Sequence, residues 1–457
     1  MSKRSSESAP APVTKGRATP ASIVLAAAGA LLAIVALASG LSLGSRQACI
    51  DYYQFWVVGR AASRHQTSDP YTSDERARLG EAAYREIFTL PAGPDAKPPF
   101  ARIAAATQRR VLETYSTPWM YTLFGIASSS DYDADQDRFE ALSTIAYALA
   151  IAVMCRLLGF SWLESGACVA LCILWFKPFE DEVIAGNVNR IQVASIGLFA
   201  WVQSRERWRS RHVLAGVVLG LAIAFKPNLA LIAVALAIGW AITRELRKLA
   251  HAATGWTIGV AIAIAWSSAY FRSARVWSAW LRTIPELLSQ GRLAGGGNYA
   301  LARLVADQTG VWLPRALPFV FLALVALAVA TGRTRRADAA HDVRSELSFD
   351  FTLAGLGATI SVLATELVWL HYSLLCVPLA LCMLRPPGAS SARHARWPAR
   401  VAAIVALLLI GLDLLMLVVT IPRPSAASPY VNCGALLLVA LAAIELARPC
   451  ATAGANG

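Results

Sequence analysis

The chain has 457 residues, 56% of them hydrophobic and 16% charged, with a mean hydropathy of +0.50 and a formal net charge of +13. A soluble domain of this length carries more charge and fewer apolar residues, so the composition excludes a soluble globular enzyme. The positive charge does not point to nucleic acid: Lys and Arg fall in short loops between apolar spans, and no basic face interleaved with aromatics sits on a soluble module.

Residues 1–21 form a Ser/Ala/Pro/Lys/Arg-rich tail, expected to be disordered. Ser22–Gly44 is long enough to cross the hydrocarbon core, too long for a signal-peptide core, and lacks a convincing cleavage site, so it is read as a retained anchor. Lys3, Arg4, Lys15 and Arg17 place its start in the cytoplasm. A long first outer loop follows, roughly 45–138, with helical patterns near 51–65 and 74–88 that are expected to lie along the membrane interface. Trp119–Ala127 is too short to cross and reads as interfacial or re-entrant. The acidic stretch Ser128–Asp135 belongs outside; its alternating Asp residues lack the Gly and distal Glu of a calcium loop and read as solvated.

The basic runs Arg205–Arg211, Arg244–Lys248, Arg333–Arg336 and Arg393–Arg400 are expected in the cytoplasm. With them the chain fits about twelve spans, roughly 22–44, 139–157, 162–178, 188–203, 212–225, 227–243, 252–271, 314–331, 350–368, 371–384, 401–421 and 430–447. Residues 22–447 thus form a single all-α polytopic membrane domain, with a second outer loop over roughly 272–313 and a short cytoplasmic tail from 448 to 457. The expected location is the inner (plasma) membrane, with both termini cytoplasmic. The eight cysteines show no metal-ligand spacing; Cys49 and Cys433 both fall on the outer side, which leaves a disulfide between them open.

This threading gathers polar residues on the outer face. Asp51, Tyr52 and Tyr53 follow the first span. Asp69-Pro70-Tyr71 and Ser116-Thr117-Pro118-Trp119 lie in the first loop. Gly186-Asn187-Val188-Asn189-Arg190 opens the fourth span, and Lys226 sits at the turn between two short ones. Gly297-Asn298 lies in the second loop, and Glu366, Trp369, His371 and Tyr372 precede the tenth span. A carboxylate can take a proton from a sugar hydroxyl, and Lys, Arg or His can stabilise a phosphate leaving group. Bland readings stand beside these. Asp51 could cap the following helix, Lys226 could snorkel, His371 could bond a carbonyl, and the glycine segments could be simple turns. Asp413 lies inside the eleventh span without an assigned role.

In order along the chain, the segments Asp51–Ala62, Asp69-Pro70-Tyr71, Gly186-Asn187-Val188-Asn189, Gly216–Pro227, Gly297-Asn298 and Trp369-Leu370-His371-Tyr372 resemble glycosyltransferase family 87, polyprenol-phosphate-mannose-dependent α-1,2-mannosyltransferases of the GT-C membrane fold. The resemblance implies a GT-C-like bundle with an outward-facing site. It also implies a polyprenyl-phosphate sugar donor, mannose first, and a lipid or glycan acceptor. Asp51 would be the general base of an inverting transfer, and Lys226 and His371 would hold the donor phosphate, with Arg190 as a candidate second cation. Tyr52, Tyr53, Asn187, Asn189, Asn298, Trp369 and Tyr372 are the expected sugar or acceptor contacts. Neither a metal nor another cofactor is expected. The chain departs from the family's usual patterns at Thr117-Pro118-Trp119, at Asn187, and at Ala364-Thr365-Glu366 before the histidine. The rival readings are a transporter or flippase for a lipid-linked sugar, with charges along a pathway, and a non-catalytic envelope scaffold.

Overall fold

A computed structural model describes residues 19–89, 100–129, 131–293, 298–311, 316–334, 343–386, 393–411 and 429–448. Gly295–Gly297 and Asp413 lie outside these residues. Among them every regular element is helical. In chain order the α-helices are α1 Pro20–Gly44, α2 Ile50–Ser63, α3 Ser73–Thr89, α4 Phe100–Gln108, α5 Pro118–Ala127, α6 Tyr132–Leu157, α7 Trp162–Leu174, α8 Lys177–Ala185, α9 Asn189–Gln203 and α10 Arg211–Phe225. There follow α11 Ala230–Thr243, α12 Leu246–Tyr270, α13 Val276–Leu293, α14 Leu301–Thr309, α15 Leu317–Thr334, α16 Val343–Ala364, α17 Val377–Leu384, α18 Arg393–Gly411 and α19 Pro429–Ala447. Two 3-10 turns, Pro227–Leu229 and Leu370–Cys376, interrupt the series.

Among the described residues five helices are long and apolar enough to cross a membrane: α1, α6, α12, α16 from Glu346, and α19. The pair α7 and α8, bent by 55°, makes a sixth when taken as one broken span. Shorter apolar helices, α10, α11, α15 and α17 among them, pack around these. The protein is therefore an all-helical membrane protein. α1 shows what faces lipid: Ile23, Val24, Leu31 and Ile34 are each more than half exposed, which is stable only where no water meets them.

Close backbone contacts set the bundle. α10 and α12 meet along Gly216 and Gly220 on one helix and Gly255 and Gly259 on the other. A Cβ on Gly255 would fall 2.1 Å from the Val213 carbonyl oxygen, and one on Gly220 would fall 2.4 Å from that of Trp256. Small residues four apart on both helices allow this approach, as membrane helix pairs commonly require. The contact fixes α10, and with it the lysine at its end.

The first loop departs from expectation. It holds four helices, and α2 does not lie on a surface: Tyr52 to Ala62 are all buried, packed chiefly against α5. Tyr52 stacks on Phe139 with ring centroids 4.7 Å apart, and Phe55 meets Phe124 at 5.1 Å. Several of its polar groups find partners within the protein. Arg60 makes two hydrogen bonds to Glu86, and the Trp56 indole donates to Asp135 at 3.0 Å. Asp131 caps α6 and Asp135 holds α2, so both act as structural acids. Among the described residues no cluster of His, Cys, Asp or Glu has metal-binding geometry. Asp69 accepts from the Tyr71 backbone, while the Tyr71 hydroxyl donates to the Ser116 carbonyl; this motif staples the loop. Cys49 and Cys433 do not pair: Cys49 is enclosed against Glu140, Gln136 and the Val183 carbonyl, whereas Cys433 is exposed.

Candidate active site

The site is built around the turn 186–189 that joins α8 to α9. Gly186 ends α8 in the left-handed region, φ 67°, which glycine adopts without a Cβ penalty. It also lies against the start of α2: a Cβ there would fall 2.6 Å from that of Cys49 and 3.0 Å from that of Tyr52. A glycine is needed for both reasons, and the result is that the turn touches the helix carrying Asp51. Beneath it the fully buried Glu182 accepts from the Asn189 side chain at 2.8 Å and from the Arg190 backbone N–H at 3.1 Å. A carboxylate at the start of α9 satisfies helix donors that would otherwise be unpaired.

Asp51 lies in the first turn of α2, but the cap position belongs to Cys49. The carboxylate is therefore free to point outward. It accepts from Asn187 Nδ2 at 2.6 Å, from Gln54 Nε2 at 3.3 Å and from Arg109 at 3.4 Å. Its side chain keeps 17% of its surface open, and that of Arg109 keeps 15%. Arg109 also pairs with Glu113 at 3.0 Å. Neither Arg109 nor Gln54 stood out in the sequence; the only signal was a pair of arginines ahead of the Ser-Thr-Pro turn.

Lys226 follows α10 with an extended backbone, placed there because Pro227 stops the helix. The surroundings lock this break. Thr117 Oγ1 donates to the Phe225 carbonyl that the break leaves free, at 3.1 Å, and Gln192 Nε2 donates to Asn228 Oδ1 at 2.7 Å. The ammonium donates to Asn189 Oδ1 at 2.9 Å and Asn187 Oδ1 at 3.2 Å, and lies 4.3 Å from the centroid of the Tyr372 ring. All three partners are neutral. Lys226 makes no ion pair among the described residues, although an ammonium in so enclosed a place is costly without an anion. One amide, Asn187, separates it from Asp51: the side-chain nitrogen serves the carboxylate and the oxygen serves the lysine.

Next to Tyr372, His371 is buried. Its Nδ1 lies 3.2 Å from Asp181 Oδ2, and its Nε2 is shut from solvent without a partner among the described residues. Asp181 itself is 37% exposed at the side chain.

Thus Asp51, Asn187, Asn189, Lys226, His371 and Tyr372 are brought together. Trp369 stands at the entrance of the second 3-10 turn, 38% exposed. Four expected residues are used elsewhere. Arg190 is fully enclosed, with both terminal nitrogens on Glu140 at 2.7 and 2.8 Å and a bond to Thr144 Oγ1 at 2.7 Å, so its charge is already spent. Tyr52 and Tyr53 pack against Phe139 and Tyr132 in the core. Asn298 donates to the Glu366 carbonyl and accepts from the backbone of Ala300 and Val368, which makes it a loop staple.

Comparison with known proteins adds the chemistry. The model of glycosyltransferase family 87 matches residues 117–365, more than half of the chain. No curated protein and no solved structure matches it. The helices and this match define a membrane glycosyltransferase, and the chain belongs to glycosyltransferase family 87. The matched stretch contains Asp181, Asn187, Asn189 and Lys226. Asp51 and Arg109 lie before it, and His371 and Tyr372 after it.

Proposed function

We propose that the protein moves a hexose, mannose first, from a polyprenyl-phosphate carrier to a hydroxyl of a lipid or glycan acceptor. The reaction takes place on the extracytoplasmic side of the plasma membrane, in a GT-C bundle of about twelve spans. One observation carries the reading: a partly buried lysine that makes no ion pair among the described residues stands one amide away from a partly open carboxylate. The phosphodiester of the donor supplies an anion for Lys226, and Arg109 flanks the same carboxylate as a second cation. The acceptor oxygen attacks the anomeric carbon as the bond to the phosphate oxygen breaks. Asp51 takes the hydroxyl proton, and Lys226 stabilises the charge gathering on the leaving phosphate. Direct displacement inverts the anomeric centre. Asn187 holds Asp51 and Lys226 in register, so base and leaving-group site form one rigid unit. The sealed Nε2 of His371 removes it from the phosphate contacts.

The test is transfer of labelled mannose from polyprenyl-phosphate-mannose to a total lipid extract of the native membrane by purified protein. Wild type is expected to make a labelled glycolipid. Asp51→Asn, which keeps the size and the hydrogen bond to Gln54, is expected to lose about 100- to 10,000-fold in rate. Full activity in Asp51→Asn would end the assignment of the base.

A further inference from the structure

We infer that Asp181 is a substrate-contacting residue of this site, a carboxylate that accepts hydrogen bonds from hydroxyls of the donor's sugar and is held in place from behind by His371. The inference rests on the glycosyl-transfer reading above and adds a residue to it.

The contrast within the pair carries the argument. His371 is buried, 5% exposed at the side chain, while Asp181 is 37% exposed. A histidine serving as the reactive member would offer a nitrogen to the open side. Here the nitrogen on that side, Nδ1, is already directed at Asp181 Oδ2, 3.2 Å away, and the other is shut in protein. The imidazole can therefore donate Nδ1–H to the carboxylate and fix its plane, leaving Oδ1 to face outward. Asp181 sits at the middle of α8, one residue before Glu182, whose own carboxylate is consumed by Asn189 and the Arg190 backbone. Adjacent residues on a helix point about 100° apart. One acid thus turns inward to build the turn 186–189, and its neighbour turns outward.

Position assigns it to the donor and not the acceptor. His371 precedes Tyr372, whose ring lies under the Lys226 ammonium. The Asp181–His371 pair is thus joined to the lysine subsite through the peptide bond between His371 and Tyr372. The donor phosphate is bonded to the sugar and to the polyprenyl chain, and of the two only the sugar carries hydroxyls for a carboxylate to accept from. A carboxylate accepting from paired hydroxyls suits a hexose, and charged acceptors give the stronger hydrogen bonds.

The experiment compares wild type, Asp181→Asn and His371→Asn in the transfer assay, using polyprenyl-phosphate-mannose and the native lipid extract. Asp181→Asn keeps the shape but replaces an acceptor oxygen with a donor. It is expected to lower kcat/KM about 10- to 100-fold, with unchanged thermal unfolding because the side chain is partly exposed. His371→Asn places an amide N–H near the position of Nδ1 and has nothing in place of Nε2. It is expected to retain activity within about 5-fold of wild type once the protein is folded, since the bond to Asp181 survives. Wild-type kcat/KM in Asp181→Asn overturns the inference. So does loss in His371→Asn equal to that in Asp181→Asn with unchanged thermal unfolding, because the reactive group would then be the imidazole. Absence of both donor binding and transfer in the wild type would instead overturn the glycosyl-transfer reading, and this inference with it.

Discussion

Two lysines at opposite ends of the bundle, one buried and one partly buried, show how the molecule separates structure from chemistry. Lys248, near the start of α12, is 7% exposed and meets Asp350 at 2.6 Å, Glu346 at 2.7 Å and Glu245 at 3.1 Å. The Trp240 indole donates to the same Asp350 at 2.7 Å. Lys226, at the end of α10, meets two amide oxygens and a ring face. Lys248 is charge-saturated and ties α12 to α16. Lys226 is geometrically satisfied but not charge-neutralised, so it still has an anion to bind. The two lysines differ most in the charge of their partners.

The largest expected effect on that contrast comes from Lys248→Met. It leaves three carboxylates facing one another and is expected to destabilise the protein by about 3–5 kcal/mol, read as a lowered unfolding temperature in detergent. Donor KM in the surviving folded fraction is expected to stay unchanged. Lys226→Met is expected to do the reverse. It removes about 1.5–3 kcal/mol of donor binding, the value of a charge-assisted hydrogen bond, while the unfolding temperature holds or rises. If the two variants behaved alike, the contrast between a structural and a functional lysine would fail.

Gly186→Ala sharpens the comparison from the backbone side. The methyl group strains a left-handed residue and meets Cys49, a cost of about 1–3 kcal/mol. Because the turn carries Asn187, kcat is expected to fall along with stability, which a purely structural glycine elsewhere would not produce. Parallel measurement of transfer rate and unfolding temperature checks this.

The smallest effect concerns the first loop's tie to α13. Burial raises the Glu286 carboxyl, but hydrogen bonds from Tyr115 and Arg76, with the Arg76 charge, outweigh it and hold the group below the ordinary glutamate range. A carboxyl lowered in the folded state adds stability above its unfolded pKa and loses it as pH falls through the folded one. Wild type should therefore lose loop anchoring below the ordinary glutamate range, and Glu286→Gln should lose that pH dependence. Hydrogen exchange of α13 across that range reports it; identical profiles would remove this tie from the account.

Much of this was legible in the sequence. Apolar composition marks an all-helical membrane protein, and Asp51, Asn187, Asn189, Lys226 and His371 fall on one face in the sequence reading. The errors share a cause. Tyr52 and Tyr53 are neighbours of Asp51 in sequence, yet a helix turns each of them to another face, and both lie in the core. Arg190 reads as a candidate second cation in sequence because Glu140, fifty residues earlier, cannot be matched to it without the fold. In sequence α2 reads as an interfacial helix, because its ion pair with the partly exposed Glu86 and the α5 helix that covers it are tertiary facts. Asp181 escaped notice in the acidic run after Phe179, where only the helix decides which acid faces inward and which faces out.

The central claim is that Lys226 is the anion-binding lysine of this protein. Its most direct test is equilibrium binding of polyprenyl-phosphate-mannose to wild type, Lys226→Met and Lys248→Met in detergent, with each fraction checked for folding. The account predicts that wild type and folded Lys248→Met bind equally, and that Lys226→Met binds at least about tenfold more weakly. Undiminished binding by Lys226→Met would contradict it.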